Sequence, residues 1–369
     1  MKRASRHRIS LVIGVLASSW LACAGEPAGH RTVLAGATSN AGAAQAPAAD
    51  PRSGAPAGDG PIELPYRDPP ASGIAYRLVL EIEGESAARR SSGAPLPLLR
   101  EQRKLEAHFR ELPVEANDSG RDAFLVGLDA LRYTVNQDNP KTQREIELAD
   151  DRLRVKENGE TSLDNRGNRS KGPHAPRELL DRIFGVINHD ASGNPTRLSA
   201  RGTPGAREFM QQIPLLGAIA YTMVALPTTP IHSGSRWTGI RIPTSRSGEL
   251  GLALDVSYSL AGIETFEGVR CAMILIDAER SGSDVTGVTG HRFDWVQAKL
   301  HGTAWVELGR SRVRRVELSD EISARWTQPG GGPAAEHRIE HDSKLSLTLR
   351  DGAKKPEKWA DGRPHFDSP

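Results

Sequence analysis

The pentapeptide His337-Arg338-Ile339-Glu340-His341 matches the inverted zinc-binding pattern H-x-x-E-H. That pattern works on a helix, where side chains four apart share a face and can share one metal ion. Here Ile339, Leu345, Leu347 and Leu349 alternate with Arg338, Glu340, Lys344, Ser346 and Thr348, which is the period of a strand. On a strand, two histidines four apart are separated by about 13 Å. Only 28 residues follow His341, and Glu357 is their sole glutamate, so a distant third ligand has little choice. The segment therefore predicts a strand and no metal centre.

Other reactive residue types are similarly unassembled. Asp190-Ala191-Ser192-Gly193-Asn194 begins like a calcium loop, but its sixth position is Pro195 and its twelfth is Arg201, so a hairpin turn is expected. His291, His301, Asp294 and Asp320 are read as solvated residues on exposed strand faces and form no triad. Cys271 lies in the apolar run Cys271-Ala272-Met273-Ile274-Leu275-Ile276 and reads as a buried small hydrophobe. The chain has no G-x-S-x-G elbow, S-x-x-K, phosphate-binding glycine loop or C-x-x-C pair. The expectation is a protein that is not an enzyme and uses no cofactor.

The N-terminus points instead to a destination. A basic stretch to Arg8 precedes the apolar run Ile9 to Ala22, the plan of a secretory signal over residues 1–22. Fourteen apolar residues are too few to span a bilayer. Ser19-Trp20-Leu21-Ala22-Cys23 resembles a bacterial lipoprotein signal, which implies lipidation at Cys23 and, with Ala24 following it, an outer-membrane destination. Ala22-Cys23-Ala24 also fits ordinary signal cleavage, which would leave a periplasmic or secreted protein. Residues 24–61 hold twelve alanines, seven glycines and five prolines among 38 residues. Such a composition cannot offset its ordering entropy, so 23–61 reads as a flexible tether with a reach of about 35 Å.

The chain as a whole has an ordinary globular composition, with 37% hydrophobic and 25% charged residues. Without the four basic residues of the leader, 44 basic and 46 acidic residues remain, interspersed along the chain. That balance leaves no footprint for nucleic acid.

Residues 62–352 read as a single β-rich domain, with 353–369 a disordered tail. Tyr76, Leu78, Leu80 and Ile82 alternate with polar neighbours, as do Leu105, Ala107 and Phe109, and the series Leu250 to Leu260. Between His291 and Leu308 the even positions are apolar or small, Gly309-Arg310-Ser311 turns the chain, and Val316 to Trp326 returns it. Arms of some 16 residues are about three times the common strand length. Native twist must coil a ribbon that long, and its apolar face needs something to close over. Asn158-Gly159 and Ser192-Gly193-Asn194-Pro195 mark further hairpins. The expected fold is mainly β: a long curved antiparallel sheet or incomplete barrel of roughly eleven strands around one or two apolar helices.

The helical candidate starts at Thr203 and Pro204 and carries the stripe Phe209, Ile213, Leu216, Ala220 and Met223, with Pro214 kinking or dividing it. Between Ile213 and Leu226 only Tyr221 and Thr222 are polar, so this half belongs in a core. Phe209, Ile213, Leu216 and Met223 are the candidate lining of a hydrophobic cavity. A shorter amphipathic turn is expected around Pro176, Leu179, Leu180 and Ile183.

Leu226-Pro227-Thr228-Thr229-Pro230-Ile231-His232-Ser233-Gly234-Ser235-Arg236-Trp237, with Glu267-Gly268 before a later strand, resembles an uncharacterised family of bacterial exported proteins and lipoproteins. The resemblance covers roughly residues 180 to 327 and brings no catalytic residues. It implies the lipoprotein-carrier (LolA-like) architecture, an incompletely closed antiparallel half-barrel around helices. The functional expectation is an exported, lipid-anchored envelope protein that binds a lipid or lipoprotein in that half-barrel. The alternative is a structural or protein-interaction lipoprotein with a filled core, for which Trp295 and Phe293, read as outward-facing, offer a partner patch.

Overall fold

A computed structural model of the chain describes residues 60–67, 69–89, 92–114, 123–149, 152–164, 183–201, 212–241, 252–287, 292–327, 336–350 and 358. The 1–22 signal segment, Cys23, the tether up to Asp59 and Phe209 lie outside the described residues, as do Pro176, Leu179, Leu180 and all of 353–369 except Lys358.

Fourteen strands and one helix are described, against roughly eleven strands expected from the periodicity. A first antiparallel meander comprises β1 (Ile74–Arg89), β2 (Leu99–Pro113), β3 (Ala123–Asp138), β4 (Lys141–Ala149), β5 (Arg152–Glu157) and β6 (Glu160–Asp164). A connecting unit follows, made of β7 (Ile183–His189), β8 (Pro195–Ala200) and the helix α1 (Leu215–Thr222). The second meander comprises β9 (Arg236–Arg241), β10 (Leu254–Phe266), β11 (Val269–Thr286), β12 (Arg292–Glu307), β13 (Arg312–Thr327) and β14 (Glu336–Leu349). β1 pairs with β14, so the meanders merge into one curved, open antiparallel sheet with β6 and β9 at its ends.

Local sequence explains the turns. Asn158 and Gly159 have φ of 52° and 85°, and Glu267 and Gly268 have 50° and 79°. Two successive residues in the left-handed region make the two-residue hairpin turn whose twist matches that of its strands. Asp190 takes the hairpin role expected of it, its Oδ1 accepting the backbone N–H groups of Ser192 and Asn194 at 2.9 Å each. Gly309 and Ser311, also at positive φ, sit in the connection between β12 and β13, whose arms are 16 residues each.

The β7–β8 hairpin solves a geometric problem on β3. β4 pairs with β3 from Leu131 to Asp138, and β7 takes over the same edge from Ala123 to Gly127. The chain then crosses the concave face as α1, which touches β7 and β8 on one side and β13 and β14 on the other. Pro214 occupies the N-cap position of α1, and the first part of the expected helix, residues 202–211, lies outside the described residues. After α1, Ile231 exchanges backbone hydrogen bonds with Ile62 at 2.8 and 2.9 Å. The Trp237 indole N–H donates to the Ala225 carbonyl at 2.7 Å, and its ring stacks on Tyr258. The two prolines of the signature thus bridge the helix to an aromatic anchor on β9.

The core is built in transverse rows. Leu318, Leu345, Leu80, Leu105, Tyr133, Ile146 and Val155 are successive register partners across β13, β14, β1, β2, β3, β4 and β5, and all are buried. The neighbouring row, Val316, Leu347, Leu78, Ala107, Leu131, Leu148 and Leu153, is apolar throughout as well. Cys271 is buried and free, and burial pushes its thiol up from the ordinary value. No described helix is long and apolar enough to cross a membrane.

Candidate functional site

One row beyond Leu318 and Leu345 the concave face changes character. Asp320, Ser343, Ile82, Arg103 and Val135 form one row, and Ile322, His341, Gly84, Glu101 and Gln137 form the next. Strand parity forces this, because Asp320 alternates in phase with Leu318 and Ile322, and His341 and Ser343 in phase with Ile339 and Leu345. Asp320 is therefore not solvated: it is 3% exposed on the inner face. The sequence expectation of an outward Asp320 is corrected, and its parity with two buried neighbours was the available signal.

The buried polar groups are drawn together by α1. The Tyr221 hydroxyl donates to Asp320 Oδ2 at 2.9 Å, and the same residue's main-chain carbonyl accepts from Arg241 Nη1. Burial, and then the Asp320 carboxylate beside it, push the Tyr221 hydroxyl well above the usual phenol range, so it remains a donor. Arg241 Nε also donates to the Tyr258 hydroxyl at 2.9 Å, and the guanidinium lies 5.7 Å from the centre of that ring. On the other side His341 Nε2 lies 3.5 Å from Asp320 Oδ1. A chain of polar groups thus runs from β9 through α1 to β14.

Several valences along that chain are open. Arg241 Nη2, Asp320 Oδ1 and both ring nitrogens of His341 are buried without a hydrogen-bond partner among the described residues. Buried polar atoms are satisfied in the great majority of cases, and leaving one unpaired costs about 1–3 kcal/mol, more for a charged group. Arg241 is 3% exposed and forms no ion pair with a carboxylate among the described residues.

Two hollows lie beside His341. A narrow one of about 20 Å³, room for about one water, is bounded by Ile82, Gly84, Leu99, Glu101, Arg103 and His341, among others. A Cβ on Gly84 would stand 3.0 Å from that of His341, so the missing side chain is what admits the imidazole's strand so closely. The second is an open groove of about 870 Å³ with Glu83, Glu85, Asp138, Glu321 and Asp342 among its lining.

The remaining candidates separate cleanly. His337 and His341 both lie on the inner face of β14, while Glu340 faces outward and pairs with Arg338, so the three letters of the zinc pattern do not converge. His337 stacks on Trp326 with ring centres 5.1 Å apart. No group of three metal-ligating side chains occurs among the described residues. His301 is exposed and sits 2.9 Å from Asp277 on the outer face. Phe293, expected outside beside Trp295, is fully buried, because Asp294 and Trp295 are both exposed and the alternation slips by one residue there. Trp295 is exposed as expected.

Of the expected cavity lining, Ile213 and Met223 are buried at the two ends of α1 and Leu216 is half-buried against the core. Neither hollow beside His341 includes them. Tyr221, Arg241 and Asp320 were missed as site residues: nothing in local composition announces that a helix tyrosine and two strand residues 79 positions apart will meet.

No family model matches the chain, and no curated protein matches it. Among solved structures, a beta-barrel-like protein of the domain of unknown function DUF1849 from Brucella abortus is 9% identical, with 75% of this chain and 98% of that one covered, at a TM-score of 0.19. A DUF1329 family protein from Desulfovibrio piger is 10% identical, with 75% and 87% covered, at a TM-score of 0.11. At those scores the likeness carries no functional argument, and the fold rests on this chain's own strand order.

Proposed function

We propose that this chain is an exported, lipid-anchored envelope protein whose open half-barrel binds a hydrophobic ligand in the manner of the lipoprotein carriers, without catalysing a reaction. The observation that carries the reading is a wide curved sheet that stays open, whose inner rows are apolar along most of their length and give way to buried polar atoms without a hydrogen-bond partner among the described residues. An unclosed apolar face with a few convergent polar groups is the general form of a small-molecule site. Lipidation at Cys23 and the tether up to residue 61 supply the attachment, since two acyl chains already suffice for stable anchoring.

A second reading, an interaction lipoprotein with a filled core, is favoured by one contact. A Cβ at Gly185 would stand 2.7 Å from Leu216 Cδ1, so α1 sits hard against β7. Leu216→Trp separates the two. In a carrier it blocks saturable binding of a naphthylamine dye and leaves a cooperative melt; in a filled core it destabilises the whole domain, by about 1–3 kcal/mol or more. For the anchor, metabolic labelling with radioactive palmitate should mark the wild-type chain and not Cys23→Ala, and an unlabelled wild type whose N-terminus begins at Ala24 or Gly25 would overturn it.

A further inference from the structure

At the outer end of the first meander, we infer that Asn158 is a site of spontaneous covalent modification. Its side-chain amide is displaced by the Gly159 nitrogen, and the turn between β5 and β6 comes to hold an aspartate or an isoaspartate. The reaction needs only water and is independent of any ligand in the half-barrel.

Ring closure on an asparagine needs an electrophilic side-chain carbon, a following main-chain nitrogen that can lose its proton, and room for the two to meet. Asn158-Gly159 is the one Asn-Gly pair in the sequence. Asn139 and Asn194 precede prolines, whose nitrogen has no proton to lose, and Asn136 and Asn188 precede glutamine and histidine, whose side chains crowd the approach. Asn158 Oδ1 accepts the Gln143 main-chain N–H at 2.8 Å, which polarises the amide carbon and steadies the negative charge that gathers on that oxygen as the bond forms. The Gly159 N–H has no acceptor among the described residues. A Cβ at Gly159 would meet nothing within 4 Å, and both turn residues are exposed, so hydroxide and water reach them.

The atoms balance with water alone. The Gly159 nitrogen gives its proton to hydroxide and bonds to Asn158 Cγ; the Cγ–Nδ2 bond breaks and ammonia leaves, taking a proton from water. Water then opens the five-membered imide, at the former side-chain carbonyl to give aspartate or at the main-chain carbonyl to give isoaspartate. Aspartate keeps an acceptor for Gln143, and Asp-Gly suits the same turn. Isoaspartate instead routes the main chain through Cγ and lengthens a two-residue turn by one atom. Either product adds a negative charge beside Glu157 and Glu160, which are register partners across the hairpin. β6 has five residues and pairs only with β5 among the described residues, so this end of the sheet is where the isoaspartate form loosens.

The test incubates the full-length chain at mildly alkaline pH in water enriched in heavy oxygen and reads the digested peptides by mass spectrometry. The expected result is that Asn158 takes up label ahead of Asn136 and Asn188, giving both aspartate and isoaspartate, and that the folded chain labels there at least as fast as the chain unfolded in urea. Asn158→Gln, whose longer side chain closes a ring far less readily, should lose the label at that position, with a melting curve confirming that it folds. Amide hydrogen exchange in β6 should speed up in the isoaspartate form and stay as in the wild type for Asn158→Asp. Labelling at Asn158 no faster than at Asn136, or labelling that folding suppresses relative to urea, overturns the site. Unchanged β6 exchange in the isoaspartate form overturns the loosening of the sheet's end.

Discussion

On the outer face of the first meander, Glu106, Arg132, Glu147 and Arg154 are register partners across β2 to β5, so the row alternates in sign from strand to strand. Arg77 reaches Glu106 at 2.9 Å, Arg132 reaches Glu145 at 2.7 Å and Arg154 reaches Glu147 at 2.5 Å. On the concave face, Asp320 has a hydroxyl and a distant imidazole for company, and Arg241 has a carbonyl and a phenol. The concave pair is buried, whereas on the outer face only Glu106 and Glu147 are buried and their arginine partners are part-exposed. In the outer set, opposite charges on neighbouring strands pair carboxylate with guanidinium, which favours the observed register. In the concave set, no carboxylate–guanidinium pair forms among the described residues, and Arg241 and Asp320 are each held by Tyr221 instead.

That comparison can be broken by substitution. The largest effect is expected on the outer face: Glu147→Ala leaves Arg154 deeply covered without its carboxylate, and urea unfolding should show a loss of about 3 kcal/mol. An unchanged midpoint would mean the row is not a strut.

Glu111 near the end of β2 supplies a pH dependence. Burial raises its carboxyl from 4.5 to about 8, with Arg312 opposing the shift. The folded chain therefore prefers the protonated form. The stabilisation is complete below about pH 4.5 and is lost as pH rises through about 8. The full shift would correspond to about 5 kcal/mol, and because Glu111 is only half-buried, solvent should cut the effect to about 2 kcal/mol. Thermal melts between pH 5 and 9 should fall for the wild type and flatten for Glu111→Gln; parallel curves would contradict the assignment.

Smaller effects belong to the concave cluster. Tyr221→Phe removes the donor to Asp320 and should cost about 1–2 kcal/mol in denaturant unfolding. Asp320→Asn should change stability by less than about 1 kcal/mol, since the amide oxygen still accepts the Tyr221 hydroxyl and the only basic group beside it is the His341 ring, 3.5 Å away. The contrast with Glu147→Ala is the point: equal losses from the two carboxylates would erase the difference between the two sets.

How far the sequence reaches is clear from particular elements. The β12–β13 hairpin is legible almost residue for residue, because its apolar face alternates over 16 residues on each arm and a glycine turn sits between them. Short strands such as β8 and β9 carry little alternation, and β8 is half-buried at every position, which is why the strand number was undercounted. On β2 the alternation of Leu105, Ala107 and Phe109 marks the strand, but residue type does not announce that Glu106 and His108 are buried on the outer face, so that both faces of that stretch are covered. Asp320 was legible in principle, by parity with Leu318 and Ile322, yet residue type suggested the surface. Arg241 and Tyr221 were not legible, because their meeting depends on where α1 crosses the sheet.

The central claim is that the half-barrel holds an amphipathic molecule. It is tested most directly by native mass spectrometry of the full-length chain released from its own membranes in mild detergent, followed by lipid extraction. The account predicts one lipid per chain, released on denaturation. A bare protein mass from a folded, cooperatively melting chain would contradict it.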